Sequence, residues 1–181
     1  MSDKPEIDVA EAVRVYADAL LGAAWGQGWR GTDAEDLVQD TFATFLKSSD
    51  RFEGRSSLKT YLFGILYNKS LEKRRDVSRE VAADPIDAVF EQRFGTWGIW
   101  RTVPRGPEDE ADAKETAALL DDCLKSLPTQ QRMAFYLRSV EHESTESMCK
   151  ILQISVTHLG VILFRARNKL RECVQKKWAG K

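Results

Sequence analysis

Wherever apolar residues cluster in this chain they recur at three- and four-residue intervals, and no alternating strand pattern of useful length interrupts them. That period matches the turn of an α-helix and predicts an all-α fold. The clearest run is Leu37, Val38, Thr41, Phe42, Phe45 and Leu46. It follows Thr32-Asp33-Ala34-Glu35, which reads as a capping box with Glu35 reaching back to the backbone of Thr32. Upstream, Val9, Val13, Tyr16, Ala17, Leu20 and Ala24 share one helical face, and Gly26, Gly28 and Gly31 end that helix. Downstream, after a turn over 48–57 that holds Gly54, the spacing of Leu58, Tyr61, Leu62, Ile65 and Leu66 predicts a third helix over about 57–79.

Periodicity is lost over 80–111, where Pro85, Pro104 and Pro107 fall among glycines. This reads as a linker. Its aromatics, Phe90, Phe94, Trp97 and Trp100, are unusual for one and are expected to pack on this chain or on a partner. A second helical block starts near Asp112, with a stripe of Leu119, Leu120, Cys123, Leu124 and Leu127 that stops at Pro128. Phe135, Tyr136 and Val140 mark another helix. A short helix over Ser144–Leu152, a turn at Gln153-Ile154 and a long basic helix over Ser155–Trp178 follow. The expected organisation is two small helical domains, 1–80 and 112–181, joined by a flexible linker, 81–111.

The chain is 43% hydrophobic and 30% charged, the balance of a packed soluble protein. Its acidic N-terminus has no continuous apolar run, so neither a signal peptide nor membrane insertion is expected, and a cytoplasmic location follows. Cys123, Cys149 and Cys173 show no C-x-x-C and are expected to be buried small thiols, with no metal site. Net charge is −1, but it is unevenly spread: −6 over 1–50, +5 over 51–79, −6 over 80–125 and +6 over 158–181. Two basic patches around an acidic middle suggest two nucleic-acid contacts. The near-neutral total argues against tight non-specific DNA binding, which phosphate neutralisation dominates.

The short helix and the basic helix after it read as a helix-turn-helix. Cys149 sits where the two would cross, Ile154 under the turn, and Ser155 at the cap of the second helix. Early residues of that helix would reach base edges in a major groove. Thr157, His158, Val161, Phe164 and Arg165 are placed for this, and Arg167, Lys169 and Arg171 for phosphates. Gln153 occupies a turn position that favours glycine. A helix pair with a solvated basic face is the competing reading.

Arg51, Phe52, Arg55, Lys59, Tyr61, Tyr67, Asn68, Lys69, Lys73, Arg74 and Arg75 mix cations, aromatic faces and an amide, as single-stranded nucleic-acid binding requires. The alternative is that Tyr61 is core and Lys73-Arg74-Arg75 a solvated helix C-terminus, which favours cations anyway. From the residues alone both stand.

Four segments, DAEDLVQDTF (33–42), RFEGRSSLKTYLFGILYNK (51–69), LPTQQRMAFYLRSV (127–140) and ISVTHLGVILFRARNKLREC (154–173), together resemble the extracytoplasmic-function (ECF) sigma factors of bacterial RNA polymerase. The resemblance spans both helical blocks. It implies that Asp36, Gln39, Asp40, Phe42 and Phe45 dock on core polymerase. It implies that Arg51, Phe52, Lys59, Tyr61, Asn68, Lys69, Lys73, Arg74 and Arg75 capture the non-template strand of the promoter −10 element. Flipping bases out of the stack costs a few kcal/mol each, which binding pockets recover. It also implies that Thr145, Glu146, Ser155, Thr157, His158, Val161, Phe164, Arg165, Arg167 and Lys169 contact the −35 element as duplex. An anti-sigma partner is implied as well. Gly160 and Ile162 stand where many relatives carry Lys or Arg, so the −35 sequence does not carry over.

No nucleophile–base pair, P-loop or H-E-x-x-H is present, so neither an enzyme nor a cofactor is expected. The alternative function is a helix-turn-helix regulator that binds duplex DNA independently of polymerase. It leaves 33–75 unexplained. A helical protein-interaction module without DNA binding would instead tolerate charge removal in the basic patches.

Overall fold

The computed structural model describes residues 8–77 and 110–179, which contain seven α-helices and a 3-10 turn. The helices are α1 (Val9–Gly26), α2 (Thr32–Ser48), α3 (Leu58–Val77), α4 (Glu110–Lys125), α5 (Thr129–Ser139), α6 (Thr145–Leu152) and α7 (Val156–Ala179). The 3-10 turn, Ser49–Arg51, continues α2. Most of the expected linker, with its four aromatics, lies outside the described residues. No single helix among those described is long and apolar enough to cross a membrane.

The helix starts follow local chemistry, with one correction. Asp8 caps α1, its carboxylate accepting from the Ala10 and Glu11 N–H groups at 2.9 and 3.3 Å. The capping box at Thr32 does not form. Thr32 is already helical, the cap is Gly31 at φ 53°, and no side chain bonds there. Glu35 therefore sits one place too far along to reach back. The Gly31 carbonyl instead accepts from the Ala34 and Glu35 N–H groups at 3.1 and 3.3 Å. Asp33 and Glu35 still lie in the first turn, where the helix dipole favours carboxylates.

One apolar core runs through both halves of the chain. It joins Leu20, Ala23 and Ala24 of α1, Leu37, Phe42 and Phe45 of α2 and Leu62, Phe63 and Leu66 of α3. From the second half it takes Met133, Ala134 and Leu137 of α5, Met148 and Ile151 of α6, and Leu159 and Ile162 of α7. The helix α3 packs on α2 on one side and on α6 on the other. Its buried arc is accordingly wider than one stripe and takes in Thr60, Phe63, Tyr67 and Ser70. A second, small cluster holds Cys123, Leu127, Ala166 and Leu170 between α4 and α7.

The expected stripes were too long at several places. Leu46 is 54% exposed near the end of α2, and Val140 is 57% exposed just past α5. The interior of α5 is formed instead by Met133, Ala134 and Leu137, with Gln131 and Arg132 also buried. The cysteine expectation is corrected too. Cys123 and Cys173 are joined as a disulfide, with Cα atoms 5.7 Å apart, and only Cys149 is free. The two are fifty residues apart in sequence and meet because α4 packs on α7, which spacing alone does not reveal.

Candidate nucleic-acid interface

The α6–α7 pair has the geometry of a helix-turn-helix, the chain bending by 91° between them. Ser144 caps α6, its Oγ accepting from the Ser147 N–H at 3.1 Å. Gln153 takes the left-handed turn, φ 56° and ψ 45°, a conformation that glycine adopts more cheaply. Ile154 packs half-buried against the core under the turn, beside half-buried Cys149. Ser155 caps α7, accepting from the His158 N–H at 3.2 Å.

Leu159, Ile162, Leu163, Ala166 and Leu170 turn α7's apolar side inward. Ile162 is thus a core residue. The remaining arc carries the expected reading residues. Ser155, Thr157, His158, Arg167 and Lys169 are exposed, and Val161, Phe164 and Arg165 are half-buried. Thr145 and Glu146 lie exposed at the start of α6, where Glu146 pairs with Lys150 at 2.8 Å. Arg138 donates to Thr145 Oγ1 at 3.0 Å and to the Glu143 carbonyl at 3.1 Å, tying α5 to the start of α6.

The basic-aromatic segment is held more tightly than its composition implies. Phe52 is buried, its ring 5.1 Å from that of Tyr61. The Tyr61 hydroxyl donates to Ser48 Oγ at 3.1 Å. Lys69 pairs with Glu72 at 2.8 Å, and Lys73 with Asp33 at 2.8 Å. Arg74 stacks over Trp29, its guanidinium 4.8 Å from the ring centroid, and donates to the Gln27 carbonyl. Burial lowers its pKa. Asn68 and Arg75 are exposed, and the side chain of Arg51 lies outside the described residues.

Lys59 is engaged by the second half of the chain. Its Nζ lies 2.8 Å from Glu141 and 2.9 Å from Glu143, in the connection between α5 and α6. Burial works against the ammonium, but its bonds to the two carboxylates prevail and hold its pKa above the ordinary value. Nearby, Lys150 of α6 donates to the Arg55 carbonyl at 3.3 Å.

At the other end of the contact the Gln27 carbonyl also accepts from Arg132 of α5 at 2.8 Å. Arg132 donates to the Leu127 carbonyl as well, through Nη2 at 3.0 Å. Burial, then the neighbouring charges of Arg74 and Arg30, push its pKa down to about 10. Arg30 pairs with Asp121 of α4 at 2.7 Å.

On α2, Asp36, Gln39 and Asp40 are exposed. With Leu37, Lys69, Glu72 and Lys73 they line an open groove of about 410 Å³. The other two docking residues do not share that surface: Phe42 is 7% exposed and Phe45 fully buried. Both belong to the apolar stripe that holds α2 on its neighbours, beneath the exposed face carrying Asp36, Gln39 and Asp40.

Comparison with known proteins gives this arrangement a family. The model of sigma-70 region 2 matches residues 12–80, and that of sigma-70 region 4 matches 117–170. A Haemophilus influenzae protein described as a probable RNA polymerase sigma factor is 30% identical over 151 residues, covering 80% of this chain and 78% of that one. The ECF RNA polymerase sigma-E factor of Escherichia coli K12 is 27% identical over 143 residues, covering 79% and 74%. Among solved structures, the sigma factor RpoE of Bartonella quintana, in complex with the anti-sigma factor NepR, superposes with a TM-score of 0.66 at 25% identity, covering 92% of this chain and 96% of that one. CnrH in complex with the cytosolic domain of CnrY gives 0.63 at 24% identity, covering 93% and 88%, a likeness of fold.

The fold and the two matched regions define a promoter-recognition subunit. This chain belongs to the ECF-type sigma-70 family of RNA polymerase sigma factors, non-catalytic subunits with promoter-recognition regions 2 and 4. Region 2 comprises α1 to α3, and region 4 carries the α6–α7 helix-turn-helix.

Proposed function

We propose that this sigma factor grips a promoter at two points and binds core polymerase through the exposed face of α2. Asp36, Gln39 and Asp40 form the polymerase contact, with Phe42 and Phe45 packing beneath. Arg51, Lys59, Asn68, Lys69, Lys73 and Arg75, with the Phe52–Tyr61 pair, take the non-template strand of the −10 element. The exposed arc of α7, led by Thr157, His158, Val161, Phe164 and Arg165, reads the −35 element, while Arg167 and Lys169 meet phosphates. The domains run 1–80 and 112–181 with the linker at 81–111, and the protein works in the cytoplasm beside polymerase.

The observation that carries this reading is the placement of the helix-turn-helix against the basic-aromatic helix: α6 packs on α3, and Glu141 and Glu143 hold Lys59. Lys59 cannot meet a phosphate while two carboxylates hold it, so promoter capture requires the two regions to part. The two structural neighbours were each solved with another protein bound, RpoE with an anti-sigma factor. An anti-sigma partner that binds across both regions fits this chain as well.

The test is transcription in vitro with core polymerase over a library of promoter sequences. Initiation confined to templates sharing two spaced elements supports the reading. Initiation indifferent to either element, or tight duplex binding by the free chain at physiological salt, refutes it.

A further inference from the structure

Three consecutive residues of α4 tie that helix in different directions. Asp121 pairs with Arg30 of region 2 at 2.7 Å, Asp122 pairs with Lys177 of α7 at 3.0 Å, and Cys123 is joined to Cys173 of α7. The two ion pairs are exposed and hold little. Among the described residues the apolar cluster between α4 and α7 has four buried members, Cys123 among them, with half-buried Leu119, Leu124 and Val174 packed against it. The cysteine bridge is the covalent tie between α4 and the recognition helix. It also encloses α5 and α6, and so nearly all of region 4. Disulfides in reducing compartments are usually transient and redox-sensing rather than permanent.

We propose that Cys123 and Cys173 form a reversible dithiol–disulfide modification site in region 4, oxidised by low-molecular-weight disulfides. The Cα separation of 5.7 Å lies within bridging range, so both states fit the same backbone. Cys173 is half-buried and Cys123 fully buried, which sets the order of attack. The Cys173 thiolate attacks one sulfur of the small disulfide and expels one small thiol, leaving a mixed disulfide on Cys173. The Cys123 thiolate then attacks Sγ of Cys173 and expels the second small thiol. Two protein thiols become one disulfide, the small disulfide becomes two thiols, and two electrons pass from protein to oxidant. Oxidation clamps α4 to α7 and keeps Asp121 facing Arg30. Reduction leaves α4 on its small cluster and loosens that contact between the regions. Cys149, on the other side of region 4 against the main core, takes no part.

The full chain is equilibrated in buffers of varied reduced and oxidised glutathione, quenched with an alkylating reagent and mapped by mass spectrometry, with amide hydrogen exchange in parallel. Cys123 and Cys173 should titrate together as one two-electron couple while Cys149 stays alkylated throughout. Amides of 118–127 should exchange about 30-fold more slowly in the oxidised form. Cys173→Ser, at the more exposed partner, should exchange as the reduced chain does in every buffer. Failure of the two cysteines to pair, pairing of either with Cys149, or identical exchange over 118–127 in both states would overturn the proposal. None of these readouts involves polymerase, so the site stands or falls separately from the promoter reading.

Discussion

The Lys59 ammonium of region 2 lies 2.8 Å from the Glu141 carboxylate of region 4, with Glu143 at 2.9 Å on the same nitrogen. Two carboxylates thus occupy a cation that the basic-aromatic segment would offer to a nucleic-acid backbone. Converting both to Gln removes the competing charge without changing shape. The double variant should bind single-stranded −10 DNA several-fold more tightly than the parent, equivalent to about 1 kcal/mol from pairs whose side chains are mostly buried. Fluorescence anisotropy with a labelled oligonucleotide measures it, and equal affinities would show that this contact does not mask the strand site.

Tyr136 of α5 lies along Gly22 and Gly26 of α1. A Cβ at Gly26 would stand 2.6 Å from the Tyr136 ring. Helix propensity favours Ala over Gly by roughly 0.5–1 kcal/mol, whereas overpacking costs about 1–3 kcal/mol, so the clash should win. Gly26→Ala should push region 4 away from region 2, lowering energy transfer between dyes placed on the two. Gly64 meets nothing within 4 Å and serves as the control. Gly64→Ala should leave the transfer unchanged and stabilise slightly.

On α2, folding and docking should separate by residue. Phe45 is fully buried, so Phe45→Ala should cost about 3–5 kcal/mol in denaturant unfolding. Asp40→Lys, on the exposed face, should unfold as the parent does yet co-purify poorly with core polymerase. Normal co-purification of a folded Asp40→Lys protein would remove that face from the docking surface.

In α7, Arg165→Ala should reduce initiation at a cognate promoter by the equivalent of one lost base contact, about 1–3 kcal/mol, and relax preference at one −35 position. Arg167→Ala should weaken binding across sequences without changing preference. Transcription from a randomised −35 library distinguishes the two, and an unchanged preference for Arg165→Ala would move base reading elsewhere on the helix.

Acid should weaken the contact between α4 and region 2. A hydrogen bond from Lys125, which outweighs burial, and the charge of Arg30 hold the Asp121 pKa below its ordinary value of 3.8. A depressed carboxylate stabilises the folded form above its unfolded pKa, and that contribution is lost as pH falls through the folded value. The difference in inter-region energy transfer between the parent and Asp121→Asn should therefore be full at neutral pH, begin to fall near the ordinary value of 3.8, and be lost only as the pH drops through the lower folded value. A difference with no pH dependence from neutral pH down to full protonation of the carboxylate would mean that Arg30–Asp121 is not what the substitution disturbs.

Much of this molecule was legible in one dimension. The Leu37–Phe45 stripe, the Ser155 cap, the half-buried Ile154 and the exposed Thr157–His158 pair follow from local period and capping chemistry. Other features depended on which face met a neighbour. Leu58, Tyr61, Leu62, Ile65 and Leu66 marked one stripe of α3, yet Phe63 and Tyr67 are buried too, because region 4 covers a second side. Gly26 read as a helix stop and turned out also to be a close approach for Tyr136. Phe42 and Phe45 read as docking residues, although aromatics on an apolar stripe serve the core first.

Periodicity, capping residues and the charge distribution determined by themselves that the chain is helical, that it has two blocks, and that its last helix is long and basic. These are properties of neighbours three or four residues apart, where backbone geometry dictates which side chains share a face. Only the tertiary structure decided that Glu141 and Glu143 hold Lys59, that Arg74 and Arg132 share the Gln27 carbonyl, and that Cys123 meets Cys173. Those pairs join residues far apart in sequence, and no local period encodes a contact that exists only once helices pack across a common core.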